Sequence, residues 1–257
     1  MYNDEWPNGK TSTNRGHTKG DLCLDDESGF WLVHSTPVFP NFSNESYSWP
    51  ENAHAYGQTF LCMTFAYDQF NYIARQLLYY WPSVFDYNIP KLFAANLPDL
   101  VQVAKGKHNS DPPWNRSTEL ISQGGQKFHC FAKSSQYGKD IFSAWLAPYY
   151  GDNMYSETWQ NGRGKTPSFC GKLDVENIRN ISMPDVAFTS TKDHSKWGVT
   201  TTKEWTCIGG INRHHVKYSC LMDSQVERGG GFICFNLSSV WKSFRNLVAG
   251  VEKCKKK

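Results

Sequence analysis

Two tripeptides far apart in the 257-residue chain, His17-Thr18-Lys19 and His194-Ser195-Lys196, repeat one order of imidazole, spacer and ammonium. On an extended strand alternate side chains project to the same face, so each His and Lys can meet a single phosphate. Lysine supplies a fixed positive charge for a non-bridging oxygen, while imidazole can attack phosphorus or hand a proton to the departing oxygen. One such tripeptide carries almost no information, because it arises by chance on solvated surfaces. A second copy changes the odds only modestly. What sharpens it is the sequel, Trp205-Thr206-Cys207-Ile208-Gly209-Gly210-Ile211-Asn212-Arg213. Its glycines let backbone amides approach an anion, and Asn212 and Arg213 offer donors. The plainer reading of the same segment is a turn after a strand.

The remaining histidines carry less. His214 and His215 are adjacent and no acidic residue stands at ligand spacing from them, so neither a metal site nor a cofactor is expected. His54, His108 and His129 read as surface or structural. The ten tryptophans read first as core and loop anchors, with one or two able to line a groove and stack on bases.

The elements that must carry these residues are mixed strand and helix, an α/β chain with long connections. Phe30-Trp31-Leu32-Val33-His34 reads as a buried strand, and residues 59–67 as a second. From Asp68, as N-cap, the apolar positions Phe70, Ile73, Leu77 and Leu78 recur at helical spacing until Pro82. Ile141, Phe142, Trp145 and Leu146 repeat the spacing, and residues 148–182 read as a long loop or a junction between halves. A last helix starts near Ser238 or Ser239, with Val240, Trp241, Phe244, Leu247 and Val248 on its core face.

With 39% hydrophobic residues, disorder is excluded, and no stretch approaches the roughly 20 apolar residues that span a bilayer. The net charge of +3 does not announce a nucleic-acid binder, so any positive field has to be local to a cleft. Eight cysteines without a Cys-x-x-Cys pair favour disulfides over zinc. Five Asn-x-Ser sequons, at Asn41, Asn44, Asn115, Asn180 and Asn236, fit passage through a secretory lumen. No signal peptide is visible at Met1, and the expectation is a start that has been removed or a fragment.

Arg15-Gly16-His17-Thr18-Lys19-Gly20, Ser28-Gly29-Phe30-Trp31-Leu32-Val33-His34-Ser35 and Tyr56-Gly57-Gln58-Thr59 together resemble the first half of the deoxyribonuclease II family. Asp193-His194-Ser195-Lys196-Trp197, the Trp205–Arg213 segment and Arg228-Gly229-Gly230-Gly231 resemble its second half. The blocks run in family order across nearly the whole chain, from Tyr2-Asn3-Asp4 to the final helix.

The resemblance implies a phospholipase D-like pseudo-dimer, with residues 1–150 as a first lobe and 151–257 as a second, each lending one His-x-Lys to a shared site. It implies a metal-independent acid endodeoxyribonuclease, in which one histidine becomes a phosphohistidine and the other protonates the 5′-oxygen, leaving a 3′-phosphate. His17 and His194 hold these roles jointly, with Lys19 and Lys196 neutralising the phosphate. His34 is a further site residue, read equally well as structural, and Asn212, Arg213 and Gln58 are candidates for substrate binding. DNA is the expected partner, without metal or membrane, and a homodimer is left open. Location is lysosomal or secreted. The resemblance also implies the pairs Cys170–Cys254 and Cys207–Cys234, leaving Cys62 unpaired and Cys23, Cys130 and Cys220 unassigned. Two departures stand out: Gly210 replaces the acidic residue usual in relatives, and only sixteen residues precede His17, so the first lobe is expected to lack early strands. A free imidazole titrates at about 6.5, which sets activity on the acid side of neutrality. Two other classes stay open: a catalytically inactive relative kept for binding, and a phosphodiesterase of another specificity on the same architecture.

Overall fold

The aromatic and β-branched runs early in the chain pair into one antiparallel sheet. In the computed structural model, which describes residues 1–161, 164–215 and 225–255, strands β1 (Tyr2–Asn3), β2 (Lys19–Leu24), β3 (Ser28–His34) and β4 (Phe60–Ala66) follow one another in that order across it. Alternation decides the faces. Trp31, Val33, Met63 and Phe65 turn to the core, whereas Asp21, Cys23 and Cys62 stand on the opposite face.

Helix α1 (Gln69–Tyr80) follows, with Phe70, Ile73, Ala74 and Leu77 buried at the spacing the sequence predicts. It ends where Trp81 takes a left-handed conformation (φ 50°) just before Pro82. Asp68 precedes it as expected but is itself helical in φ and ψ and makes no capping bond. Two short helices, α2 (Lys91–Asn96) and α3 (Pro98–Ala104), lead to the hairpin of β5 (Asn115–Ile121) and β6 (Lys127–Lys133).

The expected helix near residue 141 begins as a single π-turn over Phe142–Leu146 and continues as α4 (Ala147–Tyr150). Beyond it, of the two readings of residues 148–182, a long loop or a junction between halves, the loop does not hold. The segment contains the end of α4, then β7 (Met154–Glu157) and β8 (Val175–Ser182), which pair in parallel. The pattern hid them because Ser156, Glu157 and Asn177 are polar and yet buried. The chain then runs through β9 (Ala187–Thr189), β10 (Trp197–Thr200), β11 (Trp205–Gly209), β12 (Gly230–Asn236), α5 (Ser238–Leu247) and β13 (Val248–Val251). These strands build a second sheet in the order β13-β8-β7-β10-β11-β12-β6-β5, with β9 beside β8. The fold is therefore mixed α/β on two sheets, and β5 and β6 join strands that all lie after residue 150.

One buried cluster joins the inward residues of both sheets to α1, among them Trp31, Phe65, Leu77, Leu120 and Ile233. A second, on the other face of the larger sheet, packs Phe142, Leu146 and Tyr150 against Phe131 and Phe232. Each such side chain contributes about 1.5–3 kcal/mol on burial. Helix α5 presents Val240, Trp241, Phe244 and Leu247 to the first cluster, as its periodicity predicts. Disulfides Cys170–Cys254 and Cys207–Cys234 are formed, the second joining directly paired positions of β11 and β12. Cys23, Cys62 and Cys130 are free thiols, and Cys220 lies outside the described residues. No helix among the described residues is long and apolar enough to cross a membrane.

Candidate active site

Both His-x-Lys motifs sit at strand entries rather than inside strands. Lys19 is the first residue of β2, and Lys196 immediately precedes β10. The first entry is pinned by the Gly16 N–H donating to the Trp81 carbonyl and the His17 N–H donating to the Gly229 carbonyl, both at 2.9 Å. A Cβ on Gly16 would fall 1.8 Å from the Tyr80 carbonyl oxygen and one on Gly229 2.4 Å, so only glycine permits this approach. The second entry is held by the His194 N–H donating to the Gly57 carbonyl (2.8 Å) and the Ser195 N–H donating to the Asp193 carboxylate (2.9 Å).

The imidazoles are oriented alike. Nδ1 of His17 bonds the Gly210 carbonyl, and Nδ1 of His194 bonds the Ser35 carbonyl at 2.8 Å. A carbonyl oxygen can only accept, so Nδ1 carries the proton in each ring and Nε2 keeps its lone pair. The two histidines line one cavity of about 420 Å³, together with Asp4, Trp159, Asn212 and Arg228. A small adjoining recess is lined by His17, Lys19, His34, Ser35, Lys196 and Gly210, so it gathers both lysines with His17 and His34.

The charges around His17 form a buried set. Asp4 accepts from Lys19 Nζ and from Arg228 Nη2 (3.1 Å), and its carboxylate lies 3.9 Å from His17 Nε2. Burial works against the Asp4 carboxylate, but Lys19, His17 and Arg228 hold it well below the usual carboxylate range. Burial drives the His17 imidazole far below its ordinary value, with Lys19, Arg228 and Lys196 adding to the effect and Asp4 opposing it. His194 is lowered in the same way, by burial first and then by Lys196, Lys19 and His17. Lys196 is pushed down to about 7 by burial, with Lys19 adding. Burial is the first cause of each of these shifts and neighbouring cations add to it; an oxyanion placed among the lysines would offset the part due to the cations. The arrangement can hold an oxyanion, present an imidazole lone pair and move a proton.

The other expected site residues divide. His34 lies in the recess as a neutral ring, lowered to about 3 by burial with Lys19 adding. Its Nδ1 accepts from the Thr36 N–H (3.2 Å), the opposite tautomer to His17 and His194, and its Nε2 lies 3.9 Å from the Asp21 carboxylate. Gln58 Oε1 accepts from the Ser35 hydroxyl, so it braces the loop whose carbonyl orients His194. Asn212 lines the main cavity and accepts from the Trp159 N–H (3.1 Å). Arg213 is elsewhere engaged: it pairs with Asp140 (3.1 Å) and donates to Asn177 Oδ1 (2.6 Å), which makes it a brace behind the loop. Gly210 packs with its Cα against the His17 backbone, where a Cβ would meet the His17 carbonyl oxygen at 2.7 Å.

Sequence reasoning gave no role to Asp4, Arg228, Ser35 or Trp159. Asp4 and Arg228 lie within matched blocks, so the blocks were a signal, but nothing local ties a carboxylate to a guanidinium 224 positions away.

A buried and a partly buried imidazole beside two buried lysines can serve phosphate-ester chemistry, and the comparisons with known proteins are specific. The profile of the Deoxyribonuclease II family matches residues 1–254. Plancitoxin-1 of Acanthaster planci is 45% identical over 99% of this chain and 70% of its own length. Deoxyribonuclease-2-alpha of Sus scrofa is 43% identical over the whole chain and 70% of its own length, and deoxyribonuclease-2-beta of Homo sapiens 38% over 99% and 70%. The chain belongs to the deoxyribonuclease II family.

Proposed function

We propose that this chain is an acid endodeoxyribonuclease that hydrolyses DNA phosphodiester bonds to 3′-phosphate ends through a phosphohistidine, without a metal ion. The observation that carries the reading is that His17 and His194 open onto one cavity while Lys19 and Lys196 share the adjoining recess. The names of the family relatives support DNA as the substrate. In the two-lobe reading, residues 1–150 and 151–257 each supply one motif, and the β5–β6 hairpin of the first completes the sheet of the second.

The scissile phosphate sits between the two Nε2 atoms, with Lys19 and Lys196 on its non-bridging oxygens. One neutral imidazole attacks phosphorus, forming a P–N bond as the P–O5′ bond breaks, while the other, protonated, gives its proton to O5′. The second imidazole then takes a proton from water, whose oxygen attacks phosphorus and breaks the P–N bond. The lysines stabilise the charge that grows on the equatorial oxygens, the part a metal ion plays elsewhere. Because burial and neighbouring cations lower both histidines, the protonated partner is populated only on the acid side of 6.5, even with the phosphate charge favouring it. A lysosomal or secreted location suits that pH, and it is supported by the two disulfides and by five sequons of which none is buried.

The test is nicking of supercoiled plasmid from about pH 4 to about pH 8, with and without EDTA, followed by analysis of the ends. Acid-favoured, EDTA-resistant cleavage leaving 3′-phosphates is expected. Cleavage that peaks above neutrality or stops in EDTA contradicts the mechanism.

A further inference from the structure

The cavity that holds the histidines does not stand alone. Residues Thr11, Ser12 and Thr13 also line a second cavity, of about 520 Å³, bounded by Trp6, Lys10 and Arg15. The wall between the two is a tight hairpin: Glu5 bridges Thr11, the Trp6 N–H donates to the Lys10 carbonyl (2.8 Å), and Gly9 takes φ +81° at the turn. The hairpin is anchored rather than loose, because the Trp6 indole N–H donates to the Ser83 hydroxyl (2.9 Å) and its ring meets Phe85 at 6.2 Å.

The Lys10–Trp6 cation–aromatic pair lines this second cavity, and Arg15, which also lines it, leans on Trp81 behind the wall. Lys10 Nζ stands 4.1 Å over the Trp6 ring, exposed, and Arg15 lies 5.7 Å over the Trp81 ring, on which His108 also stacks at 4.0 Å. Two cations beside an aromatic face in a groove suit a nucleic-acid backbone and a stacked base. Two carboxylates stand at the junction, Asp4, which is paired with Lys19 and Arg228, and Glu5, which lies 4.0 Å from Lys19. Nothing in the two-histidine chemistry uses the hairpin.

We infer that the Glu5–Thr11 hairpin forms a distal nucleotide subsite: a DNA strand whose scissile phosphate lies between the histidines continues across Thr11–Thr13, with Lys10 and Arg15 on a phosphate further along. The inference rests on the phosphodiesterase reading of the central cavity. It would favour a polynucleotide over a small diester, which occupies the central cavity without reaching Lys10.

The test uses Lys10→Glu and Lys10→Ala, which alter an exposed side chain. Binding of a fluorescent oligonucleotide of about twenty nucleotides is measured in the His194→Ala background, where the strand stays intact, over a range of salt. Cleavage of the same oligonucleotide and of bis(p-nitrophenyl) phosphate is measured in the active protein. Losing one charge-assisted contact predicts about fivefold to tenfold weaker binding for Lys10→Ala. Lys10→Glu is weaker still, and the log–log salt slope falls by about 0.7 to 0.9. KM for DNA rises in step while hydrolysis of the small diester is unchanged. Unaltered affinity and salt slope in both variants overturn the subsite. If neither substrate is cleaved but binding still depends on Lys10, the subsite stands and the catalytic reading fails.

Discussion

Replacing Asp4 with Asn removes the carboxylate that two buried cations share, Lys19 at 2% side-chain exposure and Arg228 at 6%, with Asp4 itself at 5%. Asn keeps the shape and can still accept one hydrogen bond, but it leaves two positive groups facing His17 without compensation. Breaking one partner out of a buried ion set costs about 3–5 kcal/mol. For a chain of this size a loss of 1 kcal/mol lowers Tm by roughly 2 °C, so Asp4→Asn should melt about 6–10 °C lower. The sign with pH is fixed by the depressed carboxylate. Its stabilisation is present above 3.8, the ordinary Asp value, and is lost only as pH falls below that toward the folded value. The loss should therefore be alike at pH 7 and pH 5, measured by thermal melting. Adding Lys19→Met should recover part of it, because the stranded ammonium goes with the carboxylate. A drop under about 2 °C, or a double variant whose losses simply add, refutes the ion-set argument.

Three further outcomes follow from the same burial arguments. His34 titrates at about 3 in the folded chain against 6.5 unfolded, so the unfolded state binds the extra proton and stability falls as pH drops from 6.5 toward 3. His34→Asn, whose Oδ1 can take the Thr36 N–H, should flatten that slope, worth about 5 kcal/mol over the full window, in denaturant titrations at several pH values. Glu157 is raised to about 10 by burial, with Asp193 adding, and neither of its oxygens has a hydrogen-bond partner, so it is uncharged at the working pH. Glu157→Gln should stay within about 1 kcal/mol of the parent at pH 5. It should also abolish the stability loss that the parent shows as pH rises from 4.5, the ordinary Glu value, toward 10. Reduction of Cys207–Cys234 by double Ala substitution should cost about 2–4 kcal/mol in the same titrations, and no loss would mean that pairing of β11 and β12 does not need the bridge.

How much of this was legible beforehand depends on whether the signal was local. Helix α1 and helix α5 declared themselves through apolar spacing, and the two His-x-Lys motifs through a three-residue pattern. Strands β7 and β8 did not, because Ser156, Glu157 and Asn177 are buried by neighbours in the sheet rather than by their own character. That Arg213, expected beside Asn212 at the substrate, turns to Asp140 was hidden for a related reason. It follows Asn212 directly, and successive side chains diverge, so one reaches the cavity while the other turns back to Asp140. Asp4 could not be weighted at all until folding set it between Lys19 and Arg228. The cysteine pairs came from family resemblance, since spacing alone leaves many pairings open.

The most direct measurement of the central claim is a search for the covalent adduct. A 5′-labelled oligonucleotide is mixed at acid pH with the parent, His17→Ala and His194→Ala, quenched in alkali and resolved under denaturing conditions. The account predicts that both variants lose turnover, that neither accumulates an adduct at the parent's rate because one lacks the nucleophile and the other the acid that protonates O5′, and that the parent, quenched within the first turnover, holds a labelled, acid-labile protein–DNA species. Cleavage that survives in either variant, or an adduct formed equally by both, contradicts the convergence of His17 and His194 on one phosphorus atom.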